Sequence, residues 1–327
     1  QYEQDNRTSG LIYSGLYNKN TSLNNLNQFI AGEKITKDLL PTYGSIQKLY
    51  ARDSDLIAFC EDKVVQILAD KDALFNADGK PQLLATNKVL GQSRPFVGDY
   101  GISQNPESFA KESYRAYFVD KQRNAVLRLS KDGLTAISDA GMKDFFGDKL
   151  KGSYNHIIGS YDMDTNQYNV TFKTTNDYDN EKGFSATDNS ITVSYKENVK
   201  GWTSFKSFVP EQGVTLNGTY YTFKDGLIYS HDNETRNTFY GATEPENSLI
   251  NVLMNDSAIA VKDFKTLNYD GDEGWFCNEL TTDFSIVGAE DFIKKENKYF
   301  ANLKGVKDEN IDNLQGIGYS IDITQTI

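Results

Sequence analysis

Apolar and polar residues alternate along much of this chain with a period of two, in short runs broken by Asn, Asp and Gly. Such a pattern gives a pleated strand a buried face and marks the turns between strands. Several hairpins follow directly. Leu56–Cys60 and Val64–Leu68 flank Glu61-Asp62-Lys63, while Tyr114–Val119 and Ala125–Leu129 flank Asp120–Asn124. From there Lys131-Asp132-Gly133 leads on into Leu134–Ile137. Tyr220–Phe223 meets Leu227–Tyr229 across Lys224-Asp225-Gly226, where glycine accepts the positive φ that a tight hairpin turn demands. Further strands are predicted at His156–Tyr161, Tyr168–Lys173, Ile191–Tyr195, Thr203–Phe208, Leu249–Leu253 and Ala258–Leu267.

One helix interrupts the strands. Ser138 or Asp139 can cap it, Phe145, Phe146 and Leu150 give it an apolar side, and Gly152 can end it. Glu290–Leu303 reads as either helix or hairpin. The first forty residues, rich in Asn, Thr and Gln, read as an extended arm or loop-rich lead-in. Strand groups centre on 49–75, 114–137, 154–208 and 219–270, with 283–320 able to complete another. That spacing of roughly 40–50 residues is the period of a propeller blade. The expected fold is therefore all-β: a β-propeller of four-stranded antiparallel blades with one or two short helices, a β-sandwich being the alternative. Its expected organisation is an extended segment at 1–48, blades at 49–275, and a C-terminal segment at 276–327 that completes or caps the β domain.

Composition strengthens the β reading. Tyr 20, Phe 19 and Trp 2 stand against only six Pro, and aromatic side chains suit a pleated, half-buried surface. The net charge of −12 argues against a tight grip on nucleic acid, which needs a basic face to displace counterions. It argues equally against docking on anionic membrane. No apolar run approaches the roughly 20 residues of a spanning helix, so membrane insertion is not expected. The chain opens on Gln1 without a Met or a signal-peptide pattern, as a processed product or fragment would.

Candidate chemistry is sparse. Cys60 and Cys277 read as two buried free thiols, and the chain has no CxxC or HxxxH spacing for zinc. His156 and His231 are the only imidazole bases; neither lies in a nucleophile-elbow turn, and both read as structural or surface histidines. Asp162-Met163-Asp164-Thr165-Asn166 begins like a calcium loop, but Gln167 replaces the required Gly and Lys173 the bidentate Glu. The acidic run Tyr269–Gly274 is also turn-like. Ser130–Thr135 resembles a sialidase Asp-box superficially; its glycine comes one place early and no Trp follows. Asn169-Val170-Thr171 and Asn217-Gly218-Thr219 are expected by chance in an Asn-rich chain. No catalytic, cofactor-binding or metal-binding set emerges, and no cofactor is expected.

Several segments are specific in wording. They are Pro41–Leu49, Val97–Phe109, Ala125–Leu134, Ile137–Phe146 and Gly201–Phe208. From about residue 30 to the end, the chain resembles a family of virion structural proteins of crAss-like phages with short tails, described as stabilisation or tail muzzle (nozzle) proteins. The resemblance implies a β-propeller-containing tail subunit assembled as a ring around the DNA exit channel, with no catalytic residues to carry over. Members of the family are typically much longer, so this chain would be a fragment or a short member.

The expectation is thus a non-enzymatic virion tail protein. Its expected partners are other copies of itself in a ring and neighbouring tail proteins, with no tight nucleic-acid binding. The Phe145/Phe146 helix and the loop-rich 76–112 segment are candidate docking elements, against an ordinary core-packing role. A carbohydrate- or receptor-binding module is the alternative, with a surface glycan stacked on Trp202, Trp275 or the Tyr220-Tyr221 pair. A propeller glycosidase using two carboxylates ranks last.

Overall fold

The computed structural model of the chain describes residues 6–18, 20–32, 34–52, 55–75, 81–152, 156–174, 190–271, 273–282, 286–290, 292–303 and 314–325. The described part is all-β, with short 3-10 turns and one α-helix, and it divides into two compact units, Gln1–Asp232 and Asn233–Ile327.

In the first unit, β1 (Gly10–Ile12), β2 (Tyr17–Asn18), β3 (Leu23–Asn24) and β4 (Thr36–Asp38) form two short ladders, β1 with β4 and β2 with β3. Three four-stranded antiparallel meanders follow. The first sheet holds β5 (Ile46–Arg52), β6 (Asp55–Cys60), β7 (Val64–Phe75) and β8 (Pro81–Pro95). The second holds β9 (Ala110–Glu112), β10 (Arg115–Asp120), β11 (Ala125–Ser130) and β12 (Gly133–Ala136). Helix α1 (Lys143–Lys151) leads into the third, with β13 (His156–Asp162), β14 (Gln167–Lys173), β15 (Ile191–Lys196) and β16 (Gly201–Lys206). A three-stranded fourth sheet holds β17 (Gln212–Leu216), β18 (Thr219–Lys224) and β19 (Leu227–Ser230). Its hairpins turn on Asn217-Gly218 and Asp225-Gly226, where both residues of each pair take positive φ. Such turns match the twist of the strands they join.

The sheets stack face to face, and period two sets which side chain meets which neighbour. Ala58, Cys60, Val65 and Ile67 of the first sheet cluster with Leu39, Leu11 and Tyr43 of the N-terminal segment. On its other face, Ile57, Phe59 and Val64 meet Ala116, Phe118 and Leu127 of the second sheet. Tyr117, Val119 and Val126 then look the opposite way, onto Tyr168, Val170, Phe172 and Val193 of the third sheet and Phe146 and Leu150 of α1. The inner sheets are therefore buried on both faces, which is why β10 and β14 contain no exposed position. Burial of each Phe or Ile in these layers contributes on the order of 1.5–3 kcal/mol.

The second unit holds β20 (Ser248–Met254), β21 (Lys262–Phe264), β22 (Thr266–Tyr269), β23 (Trp275–Thr282), β24 (Ile286–Glu290), β25 (Ile293–Lys295), β26 (Lys298–Asn302), β27 (Leu314–Gly316) and β28 (Tyr319–Gln325). The main sheet runs β20-β28-β23-β24, beside a β22-β26-β25 sheet and a β21-β27 ladder. Its core is smaller, built on Cys277, Leu280, Leu303, Leu314 and Ile321.

Several sequence expectations need correction. The helix begins at Lys143, not at Ser138 or Asp139: those two lie in a 3-10 turn, and the positive φ of Gly141 separates it from α1. Gly152 does end the helix, its N–H reaching the Lys149 carbonyl. Within the supposedly loop-rich 76–112 segment, Pro81–Pro95 is strand β8, paired with β7 across two register shifts; residues 76–80 lie outside the described residues. Ala258–Val261 is not strand, and only β21 and the start of β22 fill that run. Of the two readings of Glu290–Leu303 the hairpin holds: β25 and β26 pair across Glu296-Asn297, both at positive φ. The strand group at 219–270 is not one sheet: β18 pairs with β17 and β19, while β20 pairs with β28.

Candidate functional site

The buried polar side chains of the first unit gather where one sheet meets the next. At the first seam, the buried Asp120 carboxylate accepts hydrogen bonds from the Gly101 N–H at 3.0 Å and from the Ser103 hydroxyl at 2.9 Å. Arg123 adds an ion pair at 3.1 Å and spends its other nitrogen on Asp62, also at 3.1 Å. The Ile102 and Ser103 N–H groups donate to the Cys60 and Glu61 carbonyls. One loop therefore stitches the β6–β7 turn to the β10–β11 turn. Gly101 lies so close to the Glu61 carbonyl that a Cβ would collide with it.

At the second seam, Glu197 in the β15–β16 turn takes Arg128 in an ion pair, Arg115 at 3.7 Å and the Tyr117 hydroxyl at 3.2 Å. Tyr117 stacks on Tyr168 with ring centres 4.9 Å apart and on Tyr161 at 5.7 Å. Offset stacking of this kind adds about 0.5–1.5 kcal/mol to area burial. Burial foremost, then the neighbouring Glu197 charge, pushes the Tyr117 phenol far above its ordinary range. Burial alone does the same for Tyr168, whose hydroxyl donates to the Ser108 carbonyl at 2.8 Å. These phenols stay neutral and serve as donors.

At the third seam the chemistry changes. The face of the third sheet turned from the aromatics carries Ser160, Asn169, Thr171, Thr192 and Ser194, all buried. Ser160 bonds the Tyr220 hydroxyl at 2.7 Å, Ser194 donates to Asn169 at 2.6 Å, and Thr192 donates to the Phe208 carbonyl at 2.7 Å. Buried polar groups matched in this way avoid the desolvation cost that unpaired ones carry. The stack ends at the fourth sheet, where Leu216 and Ile228 remain exposed.

The residues singled out in the sequence fall into place around these seams. Asp162 does not open a calcium loop: its carboxylate accepts the N–H groups of Asp164 and Thr165 and the Thr165 hydroxyl, closing the β13–β14 turn. Ser130–Thr135 is a hairpin turn, with Ser130 paired to Gly133. In the Tyr269–Gly274 run, Tyr269 stacks on Tyr299 at 4.6 Å and Glu273 pairs with Lys294 at 2.6 Å. His156 is exposed, whereas His231 lies 2.7 Å from the Thr222 hydroxyl and packs on Phe208 and Tyr220, burial lowering its pKa. Cys60 and Cys277 are buried free thiols, and burial pushes Cys60 up to about 11.

The aromatic docking and stacking candidates of the first unit are engaged in packing, while Val97 of the 76–112 segment stays exposed. Phe146 is fully buried against Trp202 at 4.5 Å, and Phe145 sits edge-on to Phe205 at 5.5 Å. Trp202 donates its indole N–H to the Ile137 carbonyl at 3.0 Å, and Tyr220 is buried beside a half-buried Tyr221. Trp275 is half-buried on β23 in the other unit. The seam residues Asp120, Glu197 and Gly101 are not apparent in the sequence, where they read as ordinary turn positions.

Seams in which carboxylates, hydroxyls and aromatic rings answer one another across stacked sheets define an all-β protein of layered antiparallel sheets. A family model described as Crassvirus muzzle protein matches residues 36–226, more than half of the chain, and the chain belongs to that family. It is a phage structural protein and a component of the virion tail. The match spans the first three sheets together with β17 and β18. No curated protein matches the chain.

Proposed function

We propose that the chain is a non-enzymatic subunit of the phage tail that acts through contacts with its own copies and neighbouring tail proteins around the DNA exit channel. The observation that carries this reading is the coincidence of the muzzle family match with the sheet stack. In that stretch buried polar side chains such as Asp120, Ser160 and Thr192 hold neighbouring segments together. A propeller-like arrangement is supported by the meander order of each sheet and by the first strands of successive sheets lying side by side, β9 against β13 and β13 against β17. The uncovered apolar positions of the fourth sheet then supply a surface for the next subunit.

Charge supports the conduit. The chain carries 26 basic against 29 acidic residues up to Asp232, and 8 against 17 from Asn233 onward, so nine of the twelve excess negative charges belong to the second unit. A lining of that sign repels the DNA backbone and lets it pass. Light scattering followed by negative-stain imaging of the purified chain tests the reading. A symmetric ring with a central opening is the expected result. A monomer that binds duplex DNA tightly at physiological salt contradicts it.

A further inference from the structure

The second unit ends its main sheet on an unusual strand. β20, Ser-Leu-Ile-Asn-Val-Leu-Met, contains no charge and no proline, and among the described residues it pairs on one side only, with β28. Leu249, Leu253 and Met254 are at least half exposed, and Ile250 is 43% exposed, so the strand shows apolar side chains on both faces. A free, apolar, seven-residue edge is a template for another strand.

The register shows what that strand must carry. Asn251 of β20 lies opposite Asp322 of β28, which lies opposite Glu279 of β23, so three acceptor-bearing side chains line up across one face. Leu253, Ser320 and Thr281 form the next row. Together they border a shallow groove of about 300 Å³. Within it the Asp322 Oδ1 oxygen is buried and has no hydrogen-bond partner among the described residues. A buried carboxylate oxygen left without a donor is costly, and a cation supplied by a partner removes that cost. Glu244, Glu246 and Asp256, all exposed, bracket the strand with further negative charge.

From this geometry we propose that β20 is a docking edge for an extended segment of another protein that adds as a strand, its apolar residues on one face meeting Ile250 and Met254 and a Lys or Arg on the other face, beside Leu253, reaching toward Asp322 and Glu279. A second copy of the same strand fits poorly, because its own flanks are acidic. The surface is read from the second unit alone and stands apart from the channel reading.

The probe is a capped peptide of alternating Val and Lys, about nine residues long to match a strand. Its binding to the full chain is followed by calorimetry and by amide hydrogen exchange. The expected result is saturable binding with exchange protection over 248–254, and no binding by the Val/Glu counterpart. The near-isosteric Asp322→Asn/Glu279→Gln variant is expected to weaken binding about tenfold, through lost charge-assisted bonds. Leu253→Lys, at an exposed position, is expected to weaken it as well. Equal binding of the Val/Glu peptide, absence of protection at 248–254, or full affinity in the charge variant overturns the proposal. So does self-association of the chain that protects β20 without peptide, which assigns the edge to a second copy.

Discussion

Gly159 of β13 lies directly against the Ser108 carbonyl, with the backbones so close that a Cβ on residue 159 would overlap that oxygen. Tyr168 closes the same contact from the adjacent strand by donating its hydroxyl to that carbonyl at 2.8 Å. The second and third sheets thus meet through backbone as well as through the aromatic layer, and the contact admits only glycine.

Replacing Gly159 with Ala should therefore cost about 2–3 kcal/mol, the penalty of overpacking a site that cannot relax. Chemical denaturation of the chain followed by near-UV circular dichroism measures it. Stability equal to the parent's would show that the junction yields easily.

Phe146→Ala removes a fully buried ring that touches Trp202 and Phe172. We expect a loss of about 3–5 kcal/mol, combining transfer and cavity terms. Trp202 fluorescence should report the opening. A loss below about 1 kcal/mol would mean that α1 is not part of the core, contrary to its place in the cluster.

Glu197→Gln leaves Arg115, Arg128 and the Tyr117 hydroxyl with a weaker, neutral acceptor. The site keeps some solvent contact, with the Glu197 side chain 15% exposed, so the expected cost is about 1–3 kcal/mol. A double-mutant cycle with Arg128→Met should recover part of it, because the partner charge is then gone. Strict additivity of the two substitutions would contradict a shared network.

His231 gives the pH dependence a definite sign. It packs on Phe208 and Tyr220, bonds Thr222, and has Asp162 and Lys206 as charged neighbours; burial lowers its pKa below the ordinary 6.5. The unfolded chain then binds the proton more readily than the folded one. This contribution is fully present above pH 6.5 and is lost as pH falls below that value. The difference in thermal midpoint between the parent and His231→Gln should therefore shrink on acidification through that range. A constant difference would show that the imidazole is not held neutral by the fold.

The parts of this fold legible in the sequence are the local ones. The hairpin on Asp225-Gly226 is announced by its own turn residues, because a tight turn is settled by two positive φ values, whereas the equivalent turn on Asn217-Gly218 reads in the sequence as a chance Asn-Gly-Thr triplet. Gly141 hid the true start of α1 by breaking the run that begins at Ser138. Strand β8 was hidden because its pairing depends on a distant stretch of β7 and on two register shifts, which leave no period behind. The third sheet was legible as alternation but not in its meaning. Gln167, Asn169 and Thr171 look like a solvent face, yet all are buried, Asn169 against Ser194 and Thr171 against Thr192. Contacts between sheets, including those at Gly101 and Gly159, are set by the stacking and carry no local signature.

The most direct test of the central claim is a density map of the intact virion tail into which the two units are fitted separately. Symmetric copies of the sheet stack encircling the DNA path are the expected result. Copies located away from that path, or a lumen lined by basic side chains of this chain, would contradict it.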